Sequence, residues 1–331
     1  MINSADIRIL NKLKIQKILW SGEEYTKQNL AAVTGLSVAT CNTLLNEMEK
    51  DGIVKGEKKQ LQTVGRGTVC YKINEEYESF LGVTFELVDK NRRLDIFLIS
   101  VTGTVRKKIE KDYEILNDIV LCNEIQKILK DQKNITQIII GTPSIAEHGV
   151  IRHCDIPELE NIEIVKMLQE QTGIPVCLEN DIHLKAYGYY KKYGKEEETV
   201  TLLNFPAHVL PGTASVHDGS VIKGKNQFAG MVGFLPYDIE RNQQIQLLKK
   251  DTCRPFISKA VASLIAIINP SVMVFTGDLL EGESIEWIKT DCGQWIPEEY
   301  LPEFFYEENF MEFYTYGMYQ KALELKEQQY D

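Results

Sequence analysis

The stretch that decides the fold lies near the N-terminus and reads TKQNLAAVTGLSVATCNTLLNEMEKDGIV, residues 26–54. Thr26 and Ser37 each precede a helical segment, where a hydroxyl can accept the first free backbone N–H groups. Gly35 stands between the segments, because glycine adopts positive φ at little cost. Gly52 stops the second segment. Two short helices joined by a tight turn are therefore predicted, which is a helix-turn-helix.

The second helix of this motif has an inner and an outer face. Its apolar residues recur at helical spacing and are expected to pack inward: Leu36, Cys41, Leu44, Leu45 and Met48. In a helix-turn-helix the second helix lies in the DNA major groove. The predicted groove-facing residues are the capping serine and the outer positions: Ser37, Ala39, Thr40, Asn42, Thr43 and Asn46.

A wing is predicted after this helix. Residues 53–55 and 69–73 can pair as strands, and Arg66 lies between two glycines in the loop that joins them. An arginine on such a loop can reach a phosphate or the minor groove. The predicted backbone contacts are Lys27, Lys58, Lys59 and Arg66, with Lys58 and Lys59 in the wing loop, and the predicted partner is double-stranded DNA. The alternative is a small helical module that mediates only protein contacts.

Charge is distributed unevenly along the 331 residues. Residues 1–75 hold 11 Lys and Arg against 8 Asp and Glu, and the remainder holds 26 against 40, so the net charges are +3 and −14 in a total of −11. An acidic body is kept away from phosphates. No apolar run approaches the roughly 18 residues of a membrane span, and no signal peptide is visible. The seven scattered cysteines fit reduced thiols, so a cytoplasmic protein without a membrane segment is expected.

Strand and helix patterns alternate after the head. This alternation predicts an α/β body with largely buried sheets, and two similar halves predict two lobes with a central cleft. The predicted domains are a winged helix-turn-helix at 1–75 and a body at 76–331, the latter divided into lobes at 76–195 and 196–310 and a C-terminal helix at 311–331.

Two further expectations concern the junctions. Glu75, Glu76 and Glu78 predict a polar hinge between head and body, and a final helix is predicted over residues 316–328. The aromatic residues around its start are expected in packing or at a dimer surface: Phe304, Phe305, Tyr306, Phe310, Phe313, Tyr314 and Tyr316.

Four stretches resemble the ROK family of repressors, open reading frames and kinases. They are the helix-turn-helix core at 30–40, the strand ending in Glu179-Asn180-Asp181, the segment 218–234 and the segment 268–277. The resemblance covers nearly all of the chain. It implies a two-lobed, actin-like (ribonuclease H-like) ATPase or sugar-kinase fold behind the head, a homodimer, and the repressor branch of the xylose and N-acetylglucosamine repressor type.

The phosphate-binding motifs of the family kinases are altered. Where those kinases read Asp-x-Gly-Gly-Thr, this sequence reads TFELV at residues 84–88. Glu86 and Leu87 replace the glycines that let backbone N–H groups approach phosphate. A second glycine-rich loop corresponds to residues 208–214, where only Gly212 remains. Phosphoryl transfer depends on such electrostatic stabilisation, so no catalytic residue and no enzymatic activity are predicted.

The sugar and zinc motifs are altered too. The family's Glu-x-Gly-His corresponds to residues 231–234. Met231 stands in place of the Glu and Phe234 in place of the His, and neither side chain can pair with a sugar hydroxyl as Glu or His would. The predicted ligand site is Asn180, Asp181, Met231 and Phe234, with a helix N-cap as the alternative role of Asp181. Residues 235–251, where the family has a Cys-rich zinc loop, contain neither Cys nor His. No metal and no cofactor are predicted, and an unmodified sugar is expected to bind weakly or not at all.

The recognition helix also departs from the family pattern. Family helices often carry arginine at the positions of Val38 and Thr43, and arginine reading guanine is the commonest specific base contact. Base readout is therefore assigned to the polar side chains of the helix: Thr40, Asn42, Thr43 and Asn46.

These observations favour a DNA-binding transcriptional regulator of the ROK family, a repressor in carbohydrate metabolism. Its body is expected to form a homodimer, with or without a small sugar-like effector. The alternatives are a divergent sugar kinase and an interaction module that does not bind DNA. The altered phosphate loops argue against the kinase, and the basic wing argues against the interaction module.

Overall fold

A winged helix-turn-helix forms the N-terminal part, as predicted, in a computed structural model that describes residues 4–59, 67–88 and 90–329. Its elements are α1 (Ser4–Leu19), β1 (Tyr25–Thr26), α2 (Lys27–Thr34), α3 (Val38–Lys50), β2 (Val54–Lys59) and β3 (Thr68–Ile73). Strands β2 and β3 pair antiparallel, and β1 joins the outer side of β3. The wing is therefore part of a three-stranded sheet.

The first lobe is built on a five-stranded mixed sheet. Its strands are β4 (Ser79–Val88), β5 (Asn91–Ser100), β6 (Val105–Tyr113), β7 (Ile135–Thr142) and β10 (Val176–Asn180), in the order β10-β7-β4-β5-β6. The first three strands form an antiparallel meander, and β7 and β10 run parallel to β4. Apolar residues of α4 (Asp118–Asp131) and α5 (Ile164–Thr172) cover one face, and β8 (Ile145–Glu147) pairs with β9 (Val150–Arg152).

A second five-stranded sheet forms the second lobe. Its strands are β11 (Thr199–Asn204), β12 (Gly212–His217), β13 (Ser220–Val221), β14 (Val272–Thr276) and β15 (Glu303–Tyr306), in the order β13-β12-β11-β14-β15. The helices of this part are α7 (Arg241–Leu247), α8 (Arg254–Ile268) and α9 (Ser284–Cys292), and the apolar faces of α8 and α9 share a core with the sheet. The domain limits themselves stay predictions.

Two crossing helices, α6 (Asp181–Tyr193) and α10 (Met311–Glu327), connect the lobes. Helix α6 shares a core with β11 and β12, while Met318 of α10 contacts Gly82 on β4 of the first lobe. The crossing is close because a Cβ at Gly188 would collide with a backbone carbonyl of α10 and one at Gly317 with a backbone carbonyl of α6. The structure begins α10 at Met311, which agrees with the start of the predicted C-terminal helix segment at 311–331, whereas the helical pattern assigned to residues 316–328 begins more than a turn too late.

The aromatic residues near the C-terminus divide between two elements. Residues 304–306 lie in β15, where Phe304 packs against Phe275 with ring centroids 5.6 Å apart. Phe310, Phe313 and Tyr314 are buried. The packing role expected from the sequence is confirmed for these buried rings, and a dimer surface stays a prediction.

Head and first lobe share one continuous hydrophobic core. Buried residues of α1 and α3 lie in the same cluster as residues of β4, β5 and α10. The Tyr319 hydroxyl lies 3.3 Å from the carbonyl oxygen of Trp20 and 3.2 Å from that of Val101. Glu78 is buried and pairs with the ammonium of Lys326. The expectation of a polar hinge is wrong at Glu78, because this residue anchors the junction from inside.

Across the described part of the chain, each helix is too short or too polar to cross a membrane.

Candidate DNA-binding surface and interlobe site

The two helices of the motif are capped as the sequence predicts. The Thr26 hydroxyl accepts from the backbone N–H of Asn29 at 3.2 Å, and the Ser37 hydroxyl accepts from that of Thr40 at 3.0 Å. Gly35 has φ +73° and ends α2 in the left-handed region. These caps satisfy N–H groups that a helix start leaves free, so the turn holds α3 at a fixed angle to α2.

Helix α3 has the two faces that the sequence predicts. Four of its apolar residues are only 0–3% exposed: Cys41, Leu44, Leu45 and Met48. Leu36 packs against the same hydrophobic cluster. Ser37, Ala39, Thr43 and Asn46 are exposed, whereas Thr40 and Asn42 are half-buried. Ionic contacts also tie α3 to α1, since Glu47 pairs with Arg8 and Lys12. Of the two carboxylates of α3, Glu47 is thereby neutralised, and Glu49 accepts from the backbone N–H of Gly56 at 3.1 Å.

The predicted basic residues lie in different environments. The Lys27 ammonium donates to Oδ1 of Asn42 and lies 5.6 Å from the ring centroid of Tyr71. Lys58 and Lys59 stand at the end of β2, not in the loop where the sequence placed them, because β2 runs on to Lys59. Lys58 is exposed, whereas Lys59 pairs with Glu24 at 2.6 Å. Arg66 lies outside the described residues.

The stretch that corresponds to the kinase phosphate loop is a regular strand. Residues 84–88 continue β4 and pair with β5 up to Val88↔Asn91. Tyr314 of α10 reaches into this region, where its hydroxyl donates to Oγ1 of Thr84 at 2.8 Å. A Cβ at Gly141 would collide with the same hydroxyl. Burial raises the pKa of Tyr314 well above 10, so the phenol stays neutral.

Asn180 and Asp181 lie where β10 becomes α6. The residue that caps α6 is Asn180, whose Oδ1 accepts from the N–H of Ile182 at 3.0 Å, and Asp181 is the first helical residue. The alternative that made Asp181 the cap is therefore wrong by one position. The Asn180 amide donates to the carbonyl oxygen of Ser144 at 2.9 Å. The carboxylate of Asp181 pairs with Lys185 at 2.6 Å.

We define the interlobe site as Thr84, Asn180, Asp181, Lys185 and Tyr314. The Lys185 ammonium lies 5.1 Å from the ring centroid of Tyr314. Side chains of β4, α6 and α10 therefore contact one another across this site. Sequence reasoning missed Lys185 and Tyr314, since neither belongs to a recognisable motif, although the i, i+4 spacing of Asp181 and Lys185 is a usable signal for a helical ion pair.

A buried acid beside this site was also missed. Oε1 of the Glu179 carboxylate lies 2.9 Å from Nδ1 of His183 and accepts from it in the tautomer that carries the proton there, and the carboxylate pairs with the ammonium of Lys223. Burial alone would raise the pKa of Glu179, but the His183 hydrogen bond and the Lys223 charge lower it to about 2. Because Lys223 follows β13, this ion pair connects the second lobe to the first.

Met231 and Phe234, the other two predicted ligand residues, bracket a short turn in the second lobe. Phe234 is 55% exposed, with its ring 4.9 Å from that of Phe228 and 3.8 Å from the guanidinium of Arg241. This turn approaches β12 through the Thr213 hydroxyl, which donates to the carbonyl of Gly230 at 2.7 Å. Their role as ligand residues stays a prediction.

Within residues 4–59, 67–88 and 90–329, no three His, Cys, Asp or Glu side chains come together in a way that could hold an ion. The cysteines in this part of the chain are free thiols. Residues 235–251 fold into a turn and α7, and the absence of zinc stays a prediction.

The structure joins a winged helix-turn-helix head, of the type that binds DNA, to a body of two α/β lobes like that of the sugar kinases. The ROK family model matches residues 97–254, and a winged helix-turn-helix DNA-binding model matches residues 4–55. The chain therefore carries a ROK family domain behind a winged helix-turn-helix.

Two curated relatives are named as xylose repressors, one of them as putative. The chain is 26% identical over 245 residues to a putative xylose repressor of Caldicellulosiruptor sp. (strain Rt8B.4), an alignment that covers 72% of this chain and 61% of the relative. It is 24% identical over 245 residues to the xylose repressor of Caldicellulosiruptor bescii, covering 70% and 60%. The chain thus spans about three fifths of the length of these relatives.

Solved structures confirm the fold. The crystal structure of a ROK family transcriptional regulator, a homolog of the E. coli MLC protein, superposes with a TM-score of 0.74 at 16% identity, covering 96% of this chain and 97% of the other. The ROK hexokinase of Thermus thermophilus gives a TM-score of 0.58 at 18% identity, covering 75% and 99%. The likeness to the regulator extends over head and body together.

Proposed function

We propose that this chain is a DNA-binding transcriptional regulator, a repressor in carbohydrate metabolism that acts on double-stranded DNA in the cytoplasm. The observation that carries the proposal is the exposed outer face of α3, which its caps and buried stripe hold beside Lys27 and the wing. The relatives named xylose repressors support it. So does the agreement with a ROK regulator over 96% of the chain.

Selection of binding sites from random duplex DNA with the full chain tests this function. We expect a specific sequence bound by a homodimer, with half-sites about one helical turn or a multiple of it apart.

Arg66→Ala should weaken binding. Lys58→Ala should lower the slope of the logarithm of the binding constant against the logarithm of the salt concentration by about one, because each phosphate contact releases a counterion. Lys59→Ala is the matched control and should lower it less, because Glu24 already pairs with Lys59. Equal affinity for selected and random duplexes would refute the proposal.

We propose further that the body does not transfer phosphate. The interlobe site supports this, because Tyr314 fills the space beside Thr84 and Gly141 and Lys185 neutralises Asp181. In the family kinases the aspartate that matches Asp181 acts as the general base, and a carboxylate held by an internal ammonium is a poor one. A coupled assay with ATP and common hexoses and amino sugars should show no turnover. Turnover that disappears in Asp181→Asn would contradict the proposal.

We infer that any effector of the interlobe site is less polar than an unmodified hexose or xylose. Asn180 already uses its oxygen for the α6 cap and its amide for Ser144, and Asp181 is paired with Lys185. Sugar hydroxyls placed here would compete with these internal bonds, and each buried polar group left unpaired costs about 1–3 kcal/mol. The body then serves chiefly as the dimerisation unit.

A further inference from the structure

We infer that α3 reads its DNA sequence through the methyl groups of thymine. This rests on the proposed DNA-binding function and names the chemistry by which that function would select a site. The sequence assigned readout to the polar groups of α3, but the structure uses three of those groups inside the protein. What α3 offers to a major groove is then largely apolar.

The hydroxyl groups of both threonines are occupied within the helix. Oγ1 of Thr40 lies 2.9 Å from Oγ of Ser37, in the cap of α3. Oγ1 of Thr43 donates to the carbonyl oxygen of Ala39 at 3.1 Å. Thr43 has thereby used the one hydrogen that its hydroxyl can donate, and its methyl group is the other part of the side chain available for a contact.

The amide of Asn42 is also engaged. Its Oδ1 accepts from the ammonium of Lys27, which also lies 5.6 Å from the ring centroid of Tyr71. Adenine recognition by asparagine requires both ends of the amide, with the oxygen accepting from the adenine amino group. Because Lys27 holds that oxygen, Asn42 positions a cation beside the groove and does not pair with adenine.

The remaining outer positions near the start of α3 are hydrocarbon. Val38 is 47% exposed and Ala39 is exposed. Ala39 precedes Thr43 by four residues, about one turn, and Val38 lies next to Ala39 at the start of the helix. In the major groove thymine presents a 5-methyl group, which alanine and threonine methyls contact. The surroundings suit a duplex, because Glu47 is neutralised by Arg8 and Lys12 while Lys58 is exposed. Asn46, one turn further along, is exposed and supplies amide readout at its own position.

Replacing thymine by uracil in the selected site tests the inference directly, because it removes only the methyl group and keeps base pairing. With the full chain at fixed salt, we expect binding to weaken about fourfold for each contacted methyl, since a buried methylene is worth about 0.8 kcal/mol and tenfold is about 1.4 kcal/mol. Uracil outside the α3 footprint should change nothing.

Two substitutions at one residue separate methyl from hydroxyl readout. Thr43→Val keeps the methyl and should bind the thymine site with nearly unchanged affinity. Thr43→Ser keeps the hydroxyl and should bind the thymine site several-fold more weakly, but should bind the uracil site as the wild type does. Val38→Ala should likewise lose the difference in affinity between the thymine and the uracil sites. Val105→Ala, at a 38% exposed valine on β6, is the control and should bind both sites like the wild type. Thermal melting checks that each variant is folded.

The outcomes distinguish this inference from the proposed function. Specific binding with equal affinity for thymine and uracil sites overturns the inference and leaves the DNA-binding function intact. So does a Thr43→Val variant that loses affinity while Thr43→Ser retains it. Failure to select any duplex sequence removes the function, and the inference with it.

Discussion

At the scale of single residues, Glu179 is a buried acid whose pKa is lowered by its partners. It lies at the end of a parallel strand and is 3% exposed, yet it stays ionised because His183 and Lys223 contact its two oxygens. A buried carboxylate without such partners would be neutral. The ion pair with Lys223 crosses from one lobe to the other, so the charge of this one side chain contributes to holding the lobes together.

The pKa of Glu179, about 2 against an ordinary value of 4.5, predicts an acid-sensitive contribution to stability. A carboxyl group with a lowered pKa stabilises the folded state fully above its ordinary pKa, and this contribution is lost as the pH falls toward the folded value. Between pH 7 and pH 3.5, we expect the wild type to lose about 1 kcal/mol of unfolding free energy that Glu179→Gln does not lose.

Urea unfolding at both pH values measures this difference. Glu281→Gln is the control, because Glu281 pairs with Lys250 on an open surface, and such pairs contribute little. Its pH dependence should stay close to that of the wild type. Identical pH dependence in Glu179→Gln and the wild type would show that the ion pair does not stabilise the fold.

At the scale of elements, the crossing of α6 and α10 determines how the lobes meet. Gly188 and Gly317 lie where the two helices touch, and a side chain on either would run into the backbone of the other helix. Glycine is unfavourable inside a helix by about 1 kcal/mol relative to alanine. These two glycines are explained by packing, since local propensity would select against both.

Gly188→Ala tests this explanation through the sign of its effect. Propensity alone predicts that alanine stabilises the protein, whereas overpacking at the crossing predicts a loss of about 1–3 kcal/mol. We expect the loss, measured by denaturant unfolding. Gly212→Ala is the matched control, because its Cβ would meet Ile182 at an ordinary 3.7 Å. A Gly188→Ala protein at least as stable as the wild type would disprove the close crossing.

At the scale of the whole molecule, the head is not an independently packed domain. Its core continues into β4, β5 and α10, and the ion pair of Glu78 with Lys326 is buried at the junction. Helix α10 contacts the interlobe site through Tyr314 and the head through Tyr319. The described part of the head should therefore unfold together with the first lobe.

Tyr319→Phe examines this coupling. The variant leaves the carbonyl groups of Trp20 and Val101 without the Tyr319 hydroxyl, at a cost of about 1 kcal/mol. Hydrogen exchange of the slowest amides should then rise about fivefold in α3 and in β5 alike. Tyr300→Phe, at a 61% exposed tyrosine, should leave exchange unchanged. A rise confined to α10 would mean that head and lobe unfold independently.

The sequence by itself determined the local structure of this protein. The caps at Thr26 and Ser37, the turn at Gly35, the apolar stripe of α3 and most strands follow from patterns within a few residues of one another. The helical pattern assigned to residues 316–328 began too late because Phe313 and Tyr314 meet residues far away in the chain, and such contacts leave no periodic signal. The hinge at Glu78 failed for the same reason, since its partner Lys326 is 248 residues away.

Only the tertiary structure decided which of the candidate groups are available to a ligand. Residue type identified Asn42, Thr43, Asn180 and Asp181 as hydrogen-bonding groups, and the fold engaged each of them with a neighbour. A side chain's type fixes the bonds it is able to form. Its partners depend on which distant segments the packing brings within about 3 Å, and that information exists only once the chain is folded.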